Sequence, residues 1–357
     1  MMGNTIDYVG KNNEKHFSEE AFNEIDNLVL SQASYFQLEY IPGFNHELNF
    51  RDIAACEDTS FAGMGILEKD NRKLLAKLAK SKRFAQVRLT NYVTDTNPEL
   101  EKQFSATTYL LDDGTAYVAF RGTDSTLVGW KEDFNLCYAA PVHAQIAAVE
   151  YLQQVAGKLH CPLRVGGHSK GGNLAVYASA HCTQDIQSRI MAVYCNDGPG
   201  MDEDTFASEG YQRIQQIIHT FVPQSSIIGM LLLHPENYTV VNSTGFSIMQ
   251  HNPFYWQVED NHFIVIDQLR RGSQYMDALI KNWLRSVDEQ ERMVFINTFY
   301  SLLAATKAET LGQLAEGALK NGPAVLAAVS NIDDKTRKII MQVFSALLNA
   351  AIKSYSK

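Results

Sequence analysis

The sequence predicts an α/β fold: a mostly parallel central sheet flanked by helices, with a helical C-terminal region. Three observations predict it. Strand-like and helix-like segments alternate between residues 105 and 242. A glycine-rich turn falls between one such strand and the helix after it. Beyond residue 264 the strand signals vanish and only helical periodicity remains.

Residues 1–24 are polar and read as a poorly ordered N-terminal segment. Asp26 to Leu38 reads as a helix capped by Asp26, and Lys69 to Lys80 as a second, with Leu74, Leu75 and Leu78 on one face. Ser105 to Leu111 and Thr115 to Phe120 are β-rich runs joined by Asp112-Asp113-Gly114, the pattern of a hairpin. Ala139 to Leu159 has the apolar spacing of a long helix. Leu163 to Gly167 reads as a short strand and Gly172 to His181 as an alanine-rich helix. Ile190–Cys195, His219–Val222 and Tyr238–Asn242 read as further strands. Tyr275–Val287, Gln290–Thr306, Thr310–Ala318 and Lys335–Tyr355 are amphipathic helical patterns. The expected division is therefore a segment 1–24, an α/β domain 25–265 and a helical region 266–357.

Composition narrows the function classes. The chain has 357 residues, 45% of them hydrophobic, enough for a sizeable core. Its net charge of -9 argues against nucleic-acid binding, which needs a basic face. Cys56, Cys137, Cys161, Cys182 and Cys195 form no CxxC pair, so no structural zinc is expected, and free thiols in a reducing compartment are. The first residues carry no signal-peptide pattern, and the most apolar run, Ile227–Leu233, is too short to span a bilayer. The expectation is a cytoplasmic protein without a transmembrane segment, with peripheral membrane contact left open.

The chemistry-bearing motif is Gly167-His168-Ser169-Lys170-Gly171, a G-x-S-x-G pattern between a strand and a helix. A serine there sits on a very tight strand-to-helix turn. Residues two places away must be small, and Gly167 and Gly171 are. The helix N-terminus then faces developing negative charge, with the N–H of Lys170 as the first oxyanion donor. A phosphate loop is excluded because Lys170 is followed by glycine rather than Ser or Thr.

The segment Val165 to Ala175 resembles the nucleophile elbow of the class 3 (fungal-type) lipases. Phe120-Arg121-Gly122-Thr123, followed by Gly129-Trp130 and Asp133, resembles their Arg-Gly strand end and loop. Closer still, Asp197-Gly198-Pro199-Gly200 and Gln250-His251 resemble segments of an uncharacterised bacterial lipase-like family, domain-of-unknown-function family 2974. The resemblance spans residues 25–265. It implies an α/β-hydrolase fold, an ester-cleaving serine hydrolase, no metal or organic cofactor, and Thr123 as second oxyanion donor. For Arg121, Trp130 and Asp133 a structural role in holding the loop is favoured.

Such a serine needs a histidine base, and the histidine a carboxylate, in the chain order Ser, acid, His. His251 lies before Pro253-Phe254-Tyr255-Trp256, the setting of the lipase histidine, and takes the base role, ahead of His234 and His262. His219 reads as structural. The lipase aspartate would fall near Val222–Ser226, where there is no carboxylate. Asp197 replaces it, with Asp202, Asp204, Glu236 and Asp260 as further candidates and Ser226 as a weaker orienting group. The expected function is hydrolysis of a small-molecule or lipid carboxylic ester. The rival is a hydrolase-like binding protein whose helical tail docks a partner or membrane surface.

Overall fold

The computed structural model describes residues 3–267, apart from 12–14, 42–43, 45–46, 57–66, 98, 101, 124–140, 225, 227–237 and 246, and isolated positions from 298 to 345. The fold is α/β, a mostly parallel sheet flanked by helices. Its centre is an eight-stranded sheet whose strands lie in sequence order: β1 (Leu48–Asn49), β2 (Arg88–Asn97), β3 (Lys102–Leu110), β4 (Ala116–Phe120), β5 (Leu163–His168), β6 (Ile190–Asn196), β7 (Ile218–Pro223) and β8 (Tyr238–Val241). The first four pair antiparallel. From β4 to β8 every pair is parallel. The expected hairpin is β3–β4, with Leu110 opposite Ala116.

Parallel neighbours need crossovers, and helices supply them. His143–Lys158 carries the chain from β4 to β5, and Lys170–His181 from β5 to β6. Both faces of the inner strands are therefore covered. β4 and β5 are buried at every position, and β4 reads as an apolar run rather than an alternation. On one face Val118, Phe120, Val165 and Val193 pack with Leu152, Leu174 and Ala178. The other face carries Tyr109, Tyr117 and Tyr194 against Leu28, Val29 and Phe36.

Three expectations are corrected. The helix expected from Asp26 spans Glu24–Ala33; Asn23 is its N-cap, and Asp26 is the third residue, returning the bond in a capping box. β2 was not read as a strand, because polar residues fill it and half its length is exposed. The N-terminal segment is not loose. Thr5–Lys11 is a helix that buries Tyr8 and Val9, and Phe17 is buried with them. Asp26 is wholly buried and takes two bonds from Arg83, Nε to Oδ1 at 2.9 Å and Nη2 to Oδ2 at 2.6 Å. The Tyr8 hydroxyl donates to the same carboxylate at 2.9 Å. Gly3 pairs with Val258 through both backbone bonds, at 3.0 and 2.9 Å, and the Thr5 hydroxyl donates to the Pro253 carbonyl. The helical patterns after residue 267 lie outside the described residues, isolated positions aside.

Candidate active site

β5 ends at His168, and the helix Lys170–His181 begins one residue after Ser169. Nothing but Ser169 makes the turn. Its backbone stands at φ 59°, ψ -134°, a region that costs a side-chain-bearing residue about 1–3 kcal/mol. Two bonds hold it there: Ser169 N–H donates to the Asn196 carbonyl at 2.9 Å, and Gly172 N–H to the Ser169 carbonyl at 2.8 Å. A Cβ on Gly167 would collide with the Gly171 backbone, and one on Gly171 with the Phe120 carbonyl. The expected need for small residues two places on either side thus has a steric cause.

The next two residues come from the carboxyl ends of other parallel strands and the loops after them, where α/β sheets place their sites. His251 closes the turn Ser247–His251, after β8. Its Nε2 lies 2.9 Å from Ser169 Oγ, and its Nδ1 lies 2.6 Å from Asp197 Oδ2. Asp197 follows β6 directly, at φ 50°, with its N–H donated to the Phe221 carbonyl. Its carboxylate is fully buried, whereas the His251 side chain is 24% exposed. A carboxylate accepts only, so His251 carries its hydrogen on Nδ1 and offers a bare Nε2 to the serine hydroxyl. The second carboxylate oxygen accepts from Ser226 Oγ at 2.5 Å. Asp197 is therefore bonded on both oxygens.

Ser226 stands just after β7, near where the resemblance places the lipase aspartate. Its hydroxyl bonds Asp197 and not His251, whereas the expectation gave it an orienting role toward the histidine. The other candidates stand elsewhere. Asp202 caps the helix Glu203–Ala207, Asp204 is exposed, and Asp260 turns the chain between Val258 and His262. His219 is an exposed residue of β7 stacked on Tyr194, and His262 is largely exposed, facing Glu24. His234, Glu236, Trp130, Asp133 and the apolar run Ile227–Leu233 lie outside the described residues.

Lys170 is the first residue of the helix at the elbow, so its N–H belongs to the positive end of the helix. Its side chain turns away and is fully buried, with Nζ donating to the Gln103 carbonyl at 2.8 Å. Thr123 is 9% exposed and follows Gly122. A Cβ on Gly122 would lie 3.1 Å from Ser169 Cβ and 2.5 Å from the His168 carbonyl oxygen. The strand end carrying Thr123 is thus pressed against Ser169. Arg121, just before it, is also buried.

Sequence reasoning missed two supporting residues. Asn196 accepts the Ser169 N–H, and its side-chain amide donates to the Gly167 carbonyl at 3.0 Å and exchanges bonds with Asn27. His168 contacts His251: its Nε2 lies 2.8 Å from the His251 carbonyl oxygen. Both sit inside segments that had already been singled out, as the residues before Asp197 and before Ser169, but their contacts join distant strands. Among the described residues, no three His, Cys, Asp or Glu side chains group as metal ligands, and no helix is long and apolar enough to cross a membrane.

The family model described as Mbeg1-like matches residues 78–301. No curated protein matches the chain. Solved structures similar to it include two lipases. One is M37 lipase, at 16% identity and a TM-score of 0.36, covering 57% of this chain and 68% of that one. The other is a triacylglycerol lipase from Penicillium expansum, at 10% identity and a TM-score of 0.34, covering 67% and 89%. Likeness at that level carries nothing about activity.

Proposed function

The chain belongs to the Mbeg1-like family, and within it we propose a serine hydrolase that cleaves a carboxylic ester through an acyl-enzyme on Ser169. One observation carries this reading: the continuous run from Ser169 Oγ through His251 to the buried Asp197 carboxylate, with steps of 2.9 and 2.6 Å.

The chemistry follows from those atoms. Ser169 Oγ attacks the ester carbonyl while His251 Nε2 takes its proton. Asp197 stabilises the imidazolium and fixes its orientation. Charge gathers on the former carbonyl oxygen, and the N–H groups of Lys170 and Thr123 receive it. The carbon–oxygen bond to the alcohol breaks as His251 returns the proton to the leaving oxygen. Water then enters, gives a proton to His251 and attacks the acyl carbon. The acid leaves as Ser169 Oγ recovers that proton.

The substrate class follows the family resemblance toward lipid or small-molecule esters, with no metal or organic cofactor required. The finer family likeness, to domain-of-unknown-function family 2974, belongs to the same reading. So does a cytoplasmic setting, supported by the free thiols of Cys56, Cys161, Cys182 and Cys195. The catalytic unit is proposed to span 25–265, with the residues before it docked on it and 266–357 as a helical appendage. The rival reading as a binding protein has its best support in the absence of the lipase aspartate after β7; the Asp197 carboxylate beside His251 favours the hydrolase reading over it.

The test is labelling by a fluorophosphonate, with turnover of p-nitrophenyl esters from acetate to palmitate. Wild type is expected to label, and Ser169→Ala and His251→Ala to stay dark while folding normally. A folded wild type that neither labels nor turns over any ester would overturn the reading.

A further inference from the structure

We propose that His168, the residue before the nucleophile, is a positioning residue that holds the base: it grips the main chain of His251 and is itself set by Tyr35. The proposal rests on the reading of Ser169 and His251 as nucleophile and base.

A backbone carbonyl only accepts hydrogen bonds, so the 2.8 Å contact with the His251 oxygen puts the His168 hydrogen on Nε2. Its Nδ1 is then an acceptor. The Tyr35 hydroxyl lies 3.3 Å from that nitrogen and 3.3 Å from the His168 carbonyl oxygen. The His251 carbonyl therefore selects the tautomer, and the Tyr35 hydroxyl packs against the opposite nitrogen. The two imidazoles also lie face to face, with centroids 4.6 Å apart and planes 34° from parallel.

The neighbouring peptide is held too. Trp256 Nε1 donates to the Gln250 carbonyl at 2.8 Å, and the Trp256 ring meets His168 edge-on. Successive carbonyls, of Gln250 and His251, are thus fixed by two side chains that touch each other. The turn bearing His251 has little freedom left. Burial pushes the His168 imidazole well below its ordinary value, and the His251 charge adds to that, so the grip stays neutral during turnover. His168 is 5% exposed and ends the strand that leads straight into Ser169. Nucleophile and base therefore share one rigid support, which matters because about 1 Å of misplacement costs on the order of 100-fold in rate.

The experiment compares His168→Gln with His168→Leu, which have similar volumes. Gln keeps an N–H donor near the Nε2 position; Leu does not. Three readouts are taken: thermal midpoint, labelling rate with the ester kcat and KM, and the low-field proton resonance of the His251–Asp197 hydrogen bond. His168→Leu is expected to lose about 10- to 100-fold in labelling rate and kcat at unchanged KM, and to shift or broaden that resonance. His168→Gln is expected to stay within about threefold of wild type on the same scale. Equal losses in both variants, or loss in neither, overturn the positioning role. A wild type that never labels overturns the hydrolase reading alone if its low-field resonance is present and responds to Leu but not to Gln. Absence of that resonance from folded wild type overturns the positioning proposal as well.

Discussion

Ser226 donates its hydroxyl to the Asp197 oxygen that His251 does not use. The residue stands after β7, yet the carboxylate it serves comes from the end of β6. A buried carboxylate with one oxygen left bare would keep much of its desolvation cost. With both oxygens bonded, the carboxylate is fixed and aimed at the imidazole.

Ser226→Ala should therefore lower kcat by about 10-fold, the value of one bond to a charged group, and leave KM alone. Asp197→Asn should lower kcat by about 1,000-fold or more, because an amide can hold the wrong histidine tautomer. Steady-state kinetics on one ester measures both. Equal effects would mean that Ser226, rather than Asp197, orients the base.

Two glycines should respond in opposite directions. Gly171→Ala drives a methyl group into the Phe120 backbone, which cannot retreat without breaking the sheet, and should cost at least about 3 kcal/mol. Gly157 lies in the last turn of the helix His143–Lys158, and nothing lies within 4 Å of a Cβ built there. Gly157→Ala should stabilise by about 0.5 kcal/mol through helix propensity. Urea unfolding separates the two.

The Asp26–Arg83 pair has side chains 0% and 1% exposed. Arg83→Met leaves a buried carboxylate with its strongest partner gone and should cost about 3–5 kcal/mol. The double variant Asp26→Leu, Arg83→Met removes both charges and should recover most of that loss. If the double variant is as unstable as the single one, packing rather than charge is what the pair supplies.

Acid should weaken the fold partly through His168. An unfolded imidazole takes its proton near pH 6.5, whereas burial keeps the folded His168 neutral to well below that. The unfolded state then binds the extra proton. The contribution is complete above about pH 6.5 and is lost as pH falls through that value, by up to about 1.4 kcal/mol per pH unit. Urea unfolding at pH 7.5 and at pH 5.5 should show His168→Gln losing less stability on acidification than wild type. A parallel loss would mean that His168 is already charged in the fold.

Much of this was legible because it is local. The elbow needs five consecutive residues, and a hairpin needs two β-rich runs and a turn. The parallel order β4 to β8 follows from alternation of strand and helix. The bond between Ser169 and His251 spans many residues, so only chain order and resemblance pointed to it. Asp197 was singled out because it stands at the carboxyl end of a strand. β2 was missed because its solvent-facing half is polar, and the N-terminus because its three buried apolar residues, Tyr8, Val9 and Phe17, are few among many polar ones. Composition averages over a segment, while docking needs only the residues that reach the core. His168 was hidden for a different reason: in G-x-S-x-G it fills an unconstrained place, and its partners, Tyr35 and His251, are far away in sequence.

The pairing of Gly3 with Val258 joins the first described residue to a position beyond His251. During synthesis the N-terminal residues emerge early, but their partner strand is made much later. Until Val258 leaves the ribosome, those residues have no edge to join, and the turn carrying His251 lacks its outer clasp.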